Sequence, residues 1–202
     1  MASLIYFNRW RRQPPPVCSS LHKRWLTRPG ALTAGLRTLG RFSLHVVSQG
    51  VELSRPEDNC FAPKTLTWRR EVLMSIDEIP CVLARSVTIL LASHGTWQGI
   101  RRLGRRPLAD ILYNDPGIVR SQFEISQIGR AHGLHGTVIR ARPLLATSAS
   151  YTLSENIETE PTLLARRSVF WRDHQPLLVS ECFMPDFWSL AGSSSNEATT
   201  GE

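Results

Sequence analysis

Apolar residues recur along the chain with two periods, and each period marks a kind of element. In ALTAGLRTLG, Leu32, Leu36 and Leu39 stand at i, i+4 and i+7, the stripe of an amphipathic helix. That helix is predicted from about Ala31 to Leu39, with Gly40 stopping it. Period-two alternation predicts strands over Phe42 to Ser48, Leu66 to Ile76, Val82 to Ile89, Gln122 to Gln127, Ser168 to Arg172 and Pro176 to Met184. Asp77-Glu78-Ile79-Pro80 separates the second strand from the third, and Asp173-His174 separates the last two. Such short, turn-forming connections make antiparallel hairpins. Trp97 to Leu103 and Pro107 to Tyr113 read as short helices, the second with proline in its first turn. No internal repeat is visible. The expected class is α+β, a single domain built on a mainly antiparallel sheet.

Some segments follow neither period. GRAHGLHG and ATSASYTLSENIETEPT are rich in small and polar residues and read as a surface insertion over about residues 128–161. SSSNEATTGE has the composition of a tail, so residues 189–202 are expected to be disordered. The start, MASLIYFNRWRRQPPPVC, is basic and broken by Pro14 to Pro16, and residues 1–20 are expected to form a flexible extension. The predicted domain is therefore 21–188.

Composition narrows the function. A chain of 202 residues supports one domain with a proper core. The net charge of +7 points to nucleic acid until its location is examined. Residues 1–50 hold eight Lys or Arg and no acid, the first being Glu52. Beyond that point bases and acids nearly balance, which argues against a nucleic-acid-binding body. The apolar stretch Leu4 to Phe7 is too short for a secretory signal, although an Arg-rich, acid-poor start also fits an organelle transit peptide. The longest apolar run, Val87 to Ala92, is strand-sized against the ~18 residues a membrane span needs. Cys18, Cys60, Cys81 and Cys182 show no CxxC spacing, so neither zinc nor a disulfide framework is expected, and a reducing cytoplasm is the expected location. His132 and His135 lie between glycines with no carboxylate or cysteine beside them, which speaks against a metal site. Gly129 to Gly136 lacks the Lys-Ser/Thr ending of a phosphate loop. No Ser or Cys nucleophile stands beside an evident base.

Chemistry enters through polar residues on apolar strand faces. Trp68, Arg70, Val72 and Met74 share one face, and Arg70 is its single polar member. A guanidinium aimed at a core needs an anion, so Arg70 has either a buried acidic partner or an anionic ligand. Leu177, Val179, Glu181 and Phe183 share another face, where burial would raise the pKa of Glu181 and suit it to donate a proton or a hydrogen bond. Glu181 either pairs with Arg70 and does nothing more, or lines a polar pocket with it. With Pro107 in a first helical turn, the Leu108 amide lies at a helix N-terminus, which favours a carboxylate. The Leu32 amide, after Pro29-Gly30, has the same character.

WRREVLMSIDEIPCVLARSV, IRRLGRRPLADILY and ARRSVFWRDHQPLLVSECFMP resemble, in order, the core segments of bacterial chorismate lyases, and RWLTRPGALTAGLRTLG resembles their N-terminal gating segment. The resemblance implies a compact antiparallel domain whose flaps enclose an internal ligand cavity. It implies a lyase that releases pyruvate from chorismate to give 4-hydroxybenzoate for ubiquinone synthesis, with no cofactor and no metal. By position, Arg70 matches the arginine that pairs with the ring carboxylate and Glu181 the glutamate near the ring hydroxyl, which makes these two the catalytic candidates. Leu108 and Leu32 match positions whose amides contact the ligand carboxylate, although Met is frequent where Leu32 stands. Arg85 matches a second basic position. The departures are the 128–161 segment and Thr88-Ile89-Leu90, where proline is common. The partners implied are chorismate and 4-hydroxybenzoate, without nucleic acid, and the protein is expected to be a monomer. The alternatives are a non-catalytic effector-sensing domain of the same fold and an inactive lyase homologue.

Overall fold

Two tight turns set the frame of the sheet. Asp77 and Glu78 have φ of 47° and 68°, and Asp173 and His174 have 47° and 60°. Consecutive left-handed residues are what a two-residue type I′ hairpin demands, because that turn matches the twist of the strands it joins. The first turn is thus tighter than the predicted four residues, and Ile79 and Pro80 belong to the following strand. Pro80 is accommodated where the register shifts between Met74 and Ser75.

The computed structural model describes residues 9–141 and 162–197. The strands are β1 (Phe42–Leu53), β2 (Leu66–Ile76), β3 (Ile79–Ile89), β4 (Val119–Arg120), β5 (Glu124–Gly129), β6 (Thr162–Arg172) and β7 (Gln175–Phe183). They form one antiparallel sheet in the order β1-β2-β3-β7-β6-β4, with β5 also pairing β6. The helices are α1 (Ser20–Leu26), α2 (Leu32–Leu36), α3 (Leu90–His94), α4 (Ala109–Leu112), α5 (Gly133–Ala141) and α6 (Pro185–Glu197), with a 3-10 turn at Gln98–Arg102. The α+β architecture is as expected.

Both faces of the sheet are covered, so β2 is buried at almost every position rather than at alternate ones. On one face, Leu44, Val72, Met74, Val82 and Phe183 pack with Trp25, Leu26, Leu36 and Phe187. Further along the same face, Phe170 and Leu177 pack with Trp97, Ile100, Leu103 and Leu112. The candidate site lies between these two covers. On the far face, Leu73, Leu83, Ala165 and Cys182 meet Leu134, Val138 and Ala141 of α5.

Several boundaries move. The helix predicted over Ala31–Leu39 is α only from Leu32 to Leu36, because its last turn tightens to i→i+3 bonds from Thr38 and Leu39. The segment read as an insertion over 128–161 contains the end of β5 and all of α5, whose Leu134, Val138 and Ala141 repeat at i, i+4 and i+7 behind glycines that mask the period. Residues 142–161 lie outside the described residues. β6 starts at Thr162, six residues before the predicted strand. The tail expected from 189 is, up to Glu197, the continuation of α6, anchored by buried Phe187 and Ala191. The extension expected over 1–20 is docked where it is described: Arg11 and Ile125 exchange backbone hydrogen bonds of 2.9 and 2.6 Å, and Ser19 and His22 form a capping box on α1.

Candidate active site

Strand register builds the site. Arg70 on β2 pairs with Ser86 on β3, Ser86 with Val179 on β7, and Val179 with Ser168 on β6. One row along, Val72 pairs with Ala84, Ala84 with Glu181, and Glu181 with Arg166. All of these line one cavity. Arg70 and Glu181 are therefore two strands apart, about 10 Å, and two residues apart along the strands, about 7 Å. Their side chains enter the cavity from opposite corners of its floor.

Arg70 is 2% exposed. Its Nη2 donates to the carbonyl oxygens of Gly104 and Arg106 at 2.8 and 3.3 Å, in the segment leading to α4. Its Nε has no partner, and among the described residues no carboxylate lies within ion-pair distance of it. Burial pushes its pKa down. A buried guanidinium satisfied only by two neutral carbonyls retains most of its capacity for an anion. Of the two readings open in the sequence, the acidic partner is absent among the described residues.

Glu181 is claimed by another residue. Arg166 Nε stands 2.5 Å from Glu181 Oε2, and Arg166 Nη1 donates to the carbonyls of Trp25 and Arg28, both at 3.1 Å. Arg166 thus ties the end of α1 and the α1–α2 loop to the sheet. Glu181 is therefore not the lone carboxylate among apolar neighbours that strand parity suggested. The supposed Arg70–Glu181 pair does not form.

The two main-chain candidates come from the covers. Leu32 is the first residue of α2, and Leu108 is the cap residue before α4, preceded by Pro107. Neither N–H donates to a protein acceptor among the described residues, as expected for the first positions of a helix. Leu32, Arg70, Leu108 and Glu181 all line the same cavity. Arg85 does not act there through its side chain. Its guanidinium lies on the far face, bonded to Glu71 at 2.8 Å and to Glu57 and Thr137 at 3.1 Å each.

Tyr113, Arg120, Phe123 and Arg166 also line the cavity, and the sequence reading did not assign them to the site. Tyr113 Oη donates to the Gly30 carbonyl at 2.7 Å, and Arg120 Nη1 donates to Tyr113 Oη at 2.8 Å. Gly30 has φ 73°, so the Pro29-Gly30 turn presents that carbonyl to Tyr113. This joins the α2 cover to the α4 cover. Arg166 was discoverable, since it shares strand parity with Ser168 and Phe170, but a strand assumed to start at Ser168 excluded it.

Among the described residues no group of three His, Cys, Asp or Glu is placed to hold a metal ion, and no helix is long and apolar enough to cross a membrane.

The family described as Chorismate lyase matches residues 10–193. A probable chorismate pyruvate-lyase of Bordetella pertussis is 48% identical over 185 residues, covering 90% of this chain and 91% of the relative. One from Pseudomonas fluorescens, named probable chorismate pyruvate-lyase 1, is 37% identical over 183 residues, covering 89% and 91%. Among solved structures, PhnF from Mycobacterium smegmatis superposes with a TM-score of 0.51 at 11% identity, covering 78% of this chain and 65% of that one, which is a likeness of fold alone. With the family matched from the docked N-terminal segment to α6, this chain belongs to the chorismate lyase family.

Proposed function

We propose that the protein splits chorismate into 4-hydroxybenzoate and pyruvate. The observation that carries this reading is Arg70, a buried cation without an acidic partner among the described residues, sharing one cavity with the Glu181–Arg166 pair. Arg70 and the Leu108 amide bind the ring carboxylate, with the Leu32 amide closing over it from the other cover. Glu181, fixed by Arg166, accepts a hydrogen bond from the ring hydroxyl at the opposite corner. The ether bond at the neighbouring ring carbon breaks, the hydrogen on the hydroxyl-bearing carbon leaves as a proton, and the ring becomes aromatic. The enolpyruvyl fragment gains one proton at its methylene carbon to become pyruvate.

Aromatisation drives this elimination, and no electron is transferred to or from the protein. The protein's contribution is to hold a dianion in a reactive conformation in a charge-matched site, which requires no cofactor. The same reading assigns the activity to a cytoplasmic monomer that supplies 4-hydroxybenzoate for ubiquinone synthesis. Four free cysteines support a reducing location, and burial pushes the Cys60 and Cys81 thiols up to about 12. The test is ultraviolet detection of 4-hydroxybenzoate from chorismate with protein exhaustively treated with EDTA. Turnover is expected to survive. Activity abolished by chelation and restored by one divalent ion would overturn the cofactor-free reading, and tight product binding without turnover would favour a sensing role.

A further inference from the structure

Chorismate carries two carboxylates, and the assignments above account for one. The following rests on the reading that chorismate is the substrate. The ether-bearing carbon adjoins the hydroxyl-bearing carbon, so the enolpyruvyl arm leaves the ring at the Glu181 corner, away from Arg70. That part of the wall holds two guanidinium groups on one ring: Arg166 at 4.2 Å and Arg120 at 4.3 Å from the Phe123 centroid. Arg166 is already matched by Glu181. Arg120 is not matched: among the described residues no carboxylate stands within ion-pair distance, and its hydrogen bonds go to neutral oxygens, Tyr113 Oη at 2.8 Å and the Gly30 carbonyl at 3.4 Å. It lies half-buried on β4, where the α2 and α4 covers meet. A second carboxylate entering a partly dry cavity needs a cation, and Arg120 is the lining guanidinium that still lacks an anion on this side.

We propose that Arg120 is the binding residue for the enolpyruvyl carboxylate. Tyr113 Oη, whose proton goes to the Gly30 carbonyl, accepts from the guanidinium and so positions it. The site then selects a dicarboxylate by two separated guanidinium groups, Arg70 for the ring and Arg120 for the arm.

The test compares two ligands in three proteins. In Arg120→Gln, the KM for chorismate is expected to rise roughly ten- to a hundredfold, the scale of one lost charge-assisted contact. The Kd for 4-hydroxybenzoate, which lacks the arm, should stay within about twofold. Arg120→Lys should recover part of the KM. Parallel weakening of both ligands would show that Arg120 only holds the mouth together, and an unchanged chorismate KM would show that it does not meet the arm; either result overturns the proposal. A wild-type protein that binds but never splits chorismate would overturn the lyase reading and leave this one standing, to be decided by chorismate affinity in the same variants measured by calorimetry.

Discussion

Arg166 and Glu181 are register partners on β6 and β7, and their side chains close to 2.5 Å on the cavity face. This pair separates the roles of the two arginines that line the floor. Arg166 is committed to the protein, through Glu181 and two carbonyls of the α1 region, whereas Arg70 meets only the carbonyls of Gly104 and Arg106 and no carboxylate among the described residues.

Arg166→Ala is therefore expected to destabilise strongly, by roughly 3–5 kcal/mol, because it strands Glu181 and frees the end of α1. Thermal or urea unfolding would measure this. A variant as stable as wild type would show that the pair does not support the fold.

Arg70→Ala should behave in the opposite way. It removes a buried charge that has no acid partner, so stability should change by no more than about 1–2 kcal/mol. The affinity for 4-hydroxybenzoate should fall at least about tenfold. Titration calorimetry beside a melting curve reads both quantities, and full product affinity in a folded variant would remove Arg70 from the site.

Glu181→Gln keeps the shape and the hydrogen bond to Arg166 but loses the charge. It is expected to lower kcat more than it weakens binding of 4-hydroxybenzoate. Initial rates and product affinity on the same preparation decide this, and wild-type turnover would sink the assigned role.

Acid stability should decline in two stages. Burial holds His132 down to about 4, with Glu57, Asp58, Arg85 and Arg167 around it and the Trp10 ring centroid at 6.0 Å. Between its ordinary value of 6.5 and about 4, the unfolded chain takes a proton that the folded chain refuses, so stability falls with falling pH by up to about 1.4 kcal/mol per unit. Glu71 follows at lower pH. Burial raises its pKa, but the Arg85 charge and hydrogen bonds from Ser48, Arg85 and Thr137 outweigh that, and the net shift is down from 4.5. Its contribution is present above that value and lost as pH drops through the folded pKa. Urea unfolding at a series of pH values should show the first stage flattened in His132→Gln; an unchanged slope would mean another group titrates.

Deleting residues 1–19 is expected to cost about 2–3 kcal/mol, through loss of the Arg11–Ile125 bridge and the Ser19 cap. Deleting 1–8 leaves both features in place and serves as the reference. Equal melting temperatures for the two truncations would contradict the docking.

Much of the site was legible because strand parity is a short-range property. Trp68, Arg70, Val72 and Met74 do share a face, and the Asp77-Glu78 and Asp173-His174 hairpins follow from residues that tolerate positive φ. What failed depends on contacts distant in sequence. Nothing local says that Glu181 meets Arg166 rather than Arg70, since sheet order decides it, and β7 lies between β3 and β6. Arg85 was matched to a second basic position of the family, yet alternation sends its side chain to the far face, where α5 supplies Thr137. That helix was hidden by Gly133 and Gly136, which dilute the period that Leu134, Val138 and Ala141 carry.

Two strands carry the same dipeptide, Arg69-Arg70 on β2 and Arg166-Arg167 on β6, and in each the two guanidinium groups point through opposite faces. On the far face, Arg69 is held by Asp58 at 2.5 Å and Arg167 by Glu124 at 2.8 Å. Residue type therefore says little about tolerance to change here, and numbering parity says a great deal. A redesign toward another aromatic acid has its freedom at the even positions of β2, β3 and β6 and the odd positions of β7 that line the cavity, the Arg166–Glu181 pair excepted. The complementary positions form a chassis of matched charges and packed apolar groups that should be left as it stands.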